Sequence, residues 1–160
     1  MRIIIISAVA RNGVIGRSNG EMPWHVKEEF QHFKDTTFGY PVIMGRITFE
    51  TLGKPLKGRL NVIITHQPDY SVPYKEVKIY GGLTQAVESL GNLNPDKIFI
   101  IGGAEVYRQA MSFADEMIIS IMQFDADGDI YFPQIVPEKW IVKNREKRNQ
   151  FDIITYIRNK

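Results

Sequence analysis

The sequence predicts an α/β fold: a mostly parallel central sheet of about eight strands, helices on both faces and a C-terminal antiparallel hairpin. Three observations carry this prediction. Five short apolar runs, at residues 3–10, 41–44, 60–65, 97–101 and 117–122, lack the alternation of half-exposed strands, as expected for strands buried on both faces. Helix-like stretches separate most of these runs, which suits parallel crossovers. The end of the chain differs, because the apolar runs at 140–142 and 151–157 follow one another with no helix between them.

Each element has its own warrant. The first run carries four consecutive isoleucines, Ile3 to Ile6, and leads into Asn12-Gly13, a turn signal. It is too short for a secretory peptide of about 15–30 residues. A polar, glycine-bearing segment follows from Arg11 to Glu21 and leaves through Met22-Pro23-Trp24. A helix is expected over 25–35, with Val26, Phe30 and Phe33 as its core-facing stripe. Helices are also expected over 46–52, over 84–90 with Thr84 as N-cap, and over 104–111. Residues 143–150 read as the polar turn of the terminal hairpin.

Composition narrows the function classes. The chain has 160 residues, which fits one domain, 1–160. It has 20 Lys+Arg against 18 Asp+Glu, a balance that argues against a nucleic-acid partner. No cysteine is present, so disulfides, iron–sulfur clusters, thiolate zinc sites and thiol nucleophiles are excluded. No run approaches the roughly 18 apolar residues of a membrane span. The expectation is a cytoplasmic monomer acting on small molecules.

Neither G-x-G-x-x-G nor a P-loop occurs, and H-E-x-x-H is absent. In the acidic run 125–129 the glycine, Gly128, stands at position four rather than six of a calcium loop, and Val136 stands where the terminal Glu is needed, so no metal is expected and the run reads as a polar turn. The informative carboxylate is Glu29. On the expected helix it lies at the edge of the apolar stripe, about 40° from Phe33, with Trp24 upstream and no local Lys or Arg partner. Desolvation there raises a carboxyl's pKa, which suits proton handling or a donor-rich ligand. A Glu so placed can equally reach water or pair with a distant Arg.

Glycines at strand ends form a second group. Gly102-Gly103 opens the helix carrying Val106 and Tyr107, and Gly45-Arg46 opens the helix carrying Thr48 and Phe49. Such turns present free backbone N–H groups to an anion, and Arg46 adds a forked cation. They can also be tight turns that need Gly for backbone reasons alone. The segment from Arg11 to Glu21 suits a lid or an ordinary surface loop. Arg59, at the start of a strand, can meet a carboxylate or cap a loop. Tyr107 by itself reads as core.

Taken in order, Ala8, Gly13-Val14-Ile15-Gly16, Met22-Pro23-Trp24, Glu29 and Phe33 lead into Pro41-Val42-Ile43-Met44-Gly45-Arg46 and Thr48-Phe49-Glu50. Pro55-Leu56, Gly58-Arg59, Ile101-Gly102-Gly103, Val106-Tyr107, Gly128-Asp129 and Phe132-Pro133 complete the set. Over essentially its whole length the chain resembles the dihydrofolate reductases. The resemblance implies reduction of 7,8-dihydrofolate to tetrahydrofolate with NADPH, by hydride transfer to C6 and protonation of N5.

It implies Glu29, Trp24 and Ser120 as the catalytic group: Glu29 on the pterin's amidine edge, Trp24 holding a water, Ser120 supporting the carboxylate. Ile6, Ala8, Phe33, Leu52, Leu56, Ile101 and Tyr107 would line the substrate, with Arg59 on the glutamate α-carboxylate and Lys34 and Lys54 near the tail. For NADPH it implies the glycine-led helix starts at Gly45 and at Gly102-Gly103, a peptide that is cis in the family, as grips on the pyrophosphate, with Thr48, Ala104, Val106 and Gln109 among the cofactor contacts. Arg46, Thr65 and His66 would read the 2′-phosphate. Ala8, Ile15 and Gly16 would face the nicotinamide under a mobile lid over 14–22, and Val14, Asn19, Gly20, Met22, Ile101 and Tyr107 would also contact the cofactor. Ile47 and Glu105 stand where the family often has basic residues, which weakens strict preference for NADPH over NADH. The same fold is similar to a reductase of riboflavin biosynthesis, and a non-catalytic NADPH- or folate-binding module is a further alternative. Trp24, Glu29 and Arg59 together argue against the first. Intact Glu29, Trp24 and Ser120 argue against the second.

Overall fold

The structure, a computed structural model, describes residues 1–160. Its ten strands and four helices run β1 (Arg2–Val9), β2 (Val14–Gly16), α1 (Lys27–Thr37), β3 (Val42–Gly45), α2 (Arg46–Leu52), β4 (Asn61–Ile64), β5 (Lys78–Tyr80), α3 (Leu83–Gly91), β6 (Lys97–Ile100), α4 (Ala104–Ala110), β7 (Glu116–Met122), β8 (Ile130–Tyr131), β9 (Trp140–Lys147) and β10 (Phe151–Arg158). Eight of the strands form one sheet in the order β5-β4-β3-β6-β1-β7-β10-β9. Every pairing from β5 through β7 is parallel, and β10 runs antiparallel to both β7 and β9.

The unalternated apolar runs are indeed strands covered on both faces. Ile4 and Ile6 of β1 point into one core with Val42, Met44, Ile63 and Phe99, against which Phe33 of α1 and Leu52 of α2 pack. Ile5 and Val9 point into the other with Ile43, Val62, Ile98 and Ile100, covered by Leu83, Ala86 and Leu90 of α3 and Val106 and Ala110 of α4. A smaller cluster of Val26, Met122, Phe151 and Ile153 receives Trp24 and seats the start of α1.

Several expectations are corrected. Helix α1 begins at Lys27 rather than near His25, because Val26 is extended (φ −119°, ψ 105°) and acts as the N-cap. Its inward stripe is Glu29, Phe33 and Thr37 at i, i+4 and i+8, with Thr37 fully buried, whereas Phe30 is 46% exposed. Glu29 therefore lies on the inward stripe and not at its edge. The N-cap of α3 is Gly82, not Thr84, which is already helical. The hairpin turn is shorter than expected, since β9 continues through Lys147. Strand β5 and the small antiparallel sheet of β2 and β8 were not foreseen.

Candidate active site

A cleft opens where two neighbouring strands part. Strand β1 pairs with β6 only from Arg2↔Lys97 to Ile5↔Ile100, while its pairing with β7 continues to Val9↔Ile121. Beyond Ile5 the carboxyl ends of β1 and β6 diverge, and such a crevice at strand ends is where open α/β sheets bind ligands. The carbonyl of Ile6 loses its strand partner there and instead accepts a hydrogen bond from the Tyr107 hydroxyl at 2.8 Å. The buried phenol is held protonated by desolvation, above its ordinary range. Tyr107 thus belongs both to the core and to the rim of the cleft.

The inward stripe of α1 carries Glu29 across β1 and β7. Its Oε2 accepts a hydrogen bond from the buried Ser120 hydroxyl at 3.3 Å, and Ser120 lies opposite Ala8 in the β1–β7 ladder. No cation pairs with Glu29. Burial pushes its carboxyl up from the ordinary 4.5, and the Ser120 hydrogen bond opposes that only in part. Trp24 packs edge-on against Phe124, with centroids 5.8 Å apart, beside Ala8 and Ile118.

One side of the cleft is apolar. Ile6, Phe33, Leu52, Leu56 and Ile101 all belong to a single cluster. Phe30 stacks on Phe33 with centroids 6.2 Å apart, and the Lys34 ammonium lies 5.0 Å from the Phe30 centroid. Lys54 is exposed further out.

At the outer end of this slot Arg59 is held rather than free. Its Nε donates to Thr37 Oγ1 at 2.9 Å, and its two terminal nitrogens donate to the backbone carbonyls of Lys57 and Lys34. Of five guanidinium N–H groups, one on each terminal nitrogen is left, a geometry that suits a carboxylate. Thr37 and Asn61, which anchor this arrangement, were not singled out from sequence. The one available signal was a polar residue opening an otherwise apolar buried strand.

The opposite wall gathers the glycine-led helix starts. Gly45 N–H donates to Gly102 O at 2.8 Å, and the Gly102-Gly103 peptide is cis. A Cβ on Gly102 would lie 3.4 Å from Tyr107 Oη and 3.5 Å from Thr48 Oγ1, and one on Gly45 would lie 3.5 Å from Val106 Cγ2. Arg46 makes an ion pair with Glu50 at 2.9 Å, and Glu50 also accepts from Tyr70 Oη at 3.2 Å. Thr65 Oγ1 accepts from Gln67 N–H at 3.2 Å. Glu105 pairs with Arg108 and accepts from Gln109, so its carboxyl is held down at about 2, with His66 contributing. Ile47 is 61% exposed and adds no charge.

The segment expected to be a lid is fastened to the acidic turn after β7. Ser18 N–H donates to Asp129 Oδ1 at 2.7 Å, Arg17 Nε to Asp127 O at 2.8 Å, and Asn12 and Ala126 exchange two hydrogen bonds. Ile15 and Gly16 lie in β2, while Asn19 and Met22 are exposed near its end. Gly20 sits at φ +88° in a turn closed onto Arg17 O.

A family model described as dihydrofolate reductase matches residues 2–158. The chain is 40% identical to a dihydrofolate reductase of Neisseria gonorrhoeae, covering 92% of this chain and 89% of that one. It is 34% identical to one from Haloferax volcanii, covering 99% and 84%. Among solved structures, a dihydrofolate reductase from Enterococcus faecalis complexed with NADP(H) and RAB-propyl superposes with a TM-score of 0.85 at 26% identity, over 99% of this chain and 97% of that chain.

Proposed function

Because the chain belongs to the dihydrofolate reductase family, we propose that Glu29 is the proton-handling group of its reaction and that the cleft between β1 and β6 holds both reactants. The reaction is the NADPH-dependent reduction of 7,8-dihydrofolate to 5,6,7,8-tetrahydrofolate. The observation that carries the site assignment is Glu29 itself: a desolvated carboxylate with no cation, braced only by Ser120, on the apolar side of the cleft.

A flat heterocycle with an amidine edge fits that surround. Glu29 accepts hydrogen bonds from the amidine and orients the ring, while Ile6, Phe33 and Ile101 exclude water from its faces. Its raised pKa keeps a proton available nearer to neutral pH, and that proton reaches N5 through a water held between Glu29 and Trp24. Ser120 fixes the carboxyl's rotamer. Leu52 and Leu56 line the benzoyl portion, and Arg59 offers its two remaining N–H groups to the tail carboxylate, with Lys34 and Lys54 nearby.

The opposite wall fits a dinucleotide. Gly45, Gly102 and Gly103 leave bare backbone beside Thr48, Val106 and Tyr107, with Gly102 at φ +127°, so a pyrophosphate can approach the N–H groups of Gly103 and Ala104. NADPH supplies the hydride delivered to C6. Arg46, Thr65 and His66 hold its 2′-phosphate, and the carboxylates of Glu50 and Glu105 temper that grip. The segment 14–22 covers the nicotinamide against Ala8. We infer that residues 1–160 act as one domain and as a cytoplasmic monomer, a reading supported by cysteine-free composition and by the first and last strands lying in one sheet. No helix is long and apolar enough to cross a membrane.

The test mixes purified protein, NADPH and dihydrofolate and follows NADPH absorbance. Consumption that requires both the protein and dihydrofolate, and that falls sharply in Glu29→Gln while NADPH binding persists, supports the reading. Undiminished turnover in that variant would remove Glu29 from its role.

A further inference from the structure

Asn61 opens β4, a strand whose other residues are Val62, Ile63 and Ile64, and it is 2% exposed. A buried amide in such a strand is costly unless its polar atoms are hydrogen-bonded. Here one loop satisfies both of them, with three bonds. Asn61 Oδ1 accepts from Leu56 N–H at 2.9 Å, and Nδ2 donates to Leu56 O at 2.9 Å and to Arg59 O at 3.1 Å. The amide ties two points of the loop between α2 and β4 to the rigid sheet. Those two points carry the apolar wall residue Leu56 and the guanidinium of Arg59.

The guanidinium is located from the other side by Thr37, whose hydroxyl donates to Phe33 O at 2.9 Å and accepts from Arg59 Nε at 2.9 Å. Backbone and side chain of Arg59 are thus referenced to two different rigid elements, β4 and α1. Three of its five N–H groups are spent on Thr37, Lys57 and Lys34, and the two left over are the ones open to an anion. No apolar residue, and no carboxylate, supplies the acceptor and two donors that Asn61 provides.

Resting on the substrate site proposed above, we propose that Asn61 is a positioning residue that gives the enzyme its selectivity for pterin substrates bearing a carboxylated tail. It touches neither the reacting ring nor the cofactor and acts through Leu56 and Arg59. A loop displaced by about 1 Å at this point forfeits the two-point grip on the tail while leaving the ring in place.

The experiment compares dihydrofolate with 6-methyl-7,8-dihydropterin, which has the reducible ring and no tail, in the wild-type protein, Asn61→Ala and Arg59→Ala. Asn61→Ala should raise the KM for dihydrofolate by roughly ten- to a hundred-fold, with kcat within a few-fold and with KM for the tailless pterin and Kd for NADPH unchanged. Asn61→Asp keeps the acceptor for Leu56 N–H and loses both donors, so it gives the same split should the Ala variant fail to fold. Equal losses on both substrates, or no loss on either, would overturn the proposal. If Arg59→Ala separates the two substrates and the Asn61 variants do not, only this inference fails. If Arg59→Ala does not separate them, the substrate site itself is wrongly assigned, and the inference falls with it.

Discussion

At the scale of single residues the proposed chemistry rests on two charged groups in opposite surroundings. Glu29 has no cation and a carboxyl raised by burial, so wild-type turnover should increase as pH falls toward its pKa. Glu29→Gln should lose roughly 10²- to 10⁴-fold at neutral pH and show a flat profile in a stopped-flow hydride-transfer assay. The same shift predicts a stability effect of definite sign. A carboxyl whose folded pKa lies above the unfolded value costs nothing below the ordinary 4.5, where both states are protonated. It destabilises the fold once pH rises through the folded pKa. Glu29→Gln should therefore raise Tm at pH 8 and leave it unchanged near pH 4, as read by differential scanning calorimetry. Arg46, by contrast, is already paired with Glu50 at 2.9 Å. Arg46→Ala should weaken NADPH far more than NADH. Glu50→Gln, which frees the guanidinium, should tighten NADPH a few-fold and leave NADH unchanged; isothermal titration measures both. Equal effects on the two cofactors would place the 2′-phosphate elsewhere.

Among the elements, the segment proposed as a lid and the acidic turn that fastens it are coupled by close backbone approach as well as by hydrogen bonds. A Cβ on Gly128 would lie 2.5 Å from Gly16 O and 2.6 Å from Val14 Cγ1, so the turn sits flat on β2 only because residue 128 has no side chain. Gly128→Ala should separate β8 and its turn from β2, release the Ser18–Asp129 hydrogen bond and slow hydride transfer, with substrate binding less affected. Limited proteolysis between residues 17 and 21 should become faster in that variant, and unchanged cleavage would show that the lid is held by other contacts. Sequence reasoning reached these elements unevenly, for physical reasons. Strands β1, β3, β4, β6 and β7 were legible because burial on both faces demands unbroken apolar runs. Strands β2, β5 and β8 have three, three and two residues, too few to display any period. The outer half of β9 is exposed on both faces, so nothing required an apolar residue there and its charges resembled a turn. The stripe of α1 was misphased because Val26 caps the helix instead of entering it, and counting from Val26 turned Phe30 inward and moved Glu29 to the edge.

For the molecule as a whole, the proposed site is assembled from segments far apart in sequence, brought together by the sheet and by direct contacts such as Arg59–Thr37 and Ser18–Asp129. The residues assigned to the cofactor run from Ala8 to Gln109, and those assigned to the proton and the substrate run from Ile6 to Ser120. Their assignment rests on residue types, on order and on the family resemblance. What braces them was not legible, because Thr37 acts through a partner 22 positions away and Asn61 through backbone that no side-chain pattern encodes; the Arg46–Glu50 pair, four positions apart, was open to reading. On the proposed site ligand binding is a global stabiliser, since a dinucleotide held by β2, α2 and α4 would be lost whenever the sheet comes apart. At a hundred times its Kd, NADPH should add about 2.7 kcal/mol, which raises the Tm of a chain of this size by roughly 5–10 °C. NADH at the same concentration should give a smaller rise, and Arg46→Ala should bring the two nearly together. Gly128→Ala should diminish both rises in parallel, because it loosens the lid that either cofactor needs. Differential scanning fluorimetry of the wild-type protein and these two variants, each with both cofactors, separates phosphate recognition from lid closure. If Gly128→Ala shrank the NADPH rise alone, the lid would be acting on the 2′-phosphate rather than on the nicotinamide end.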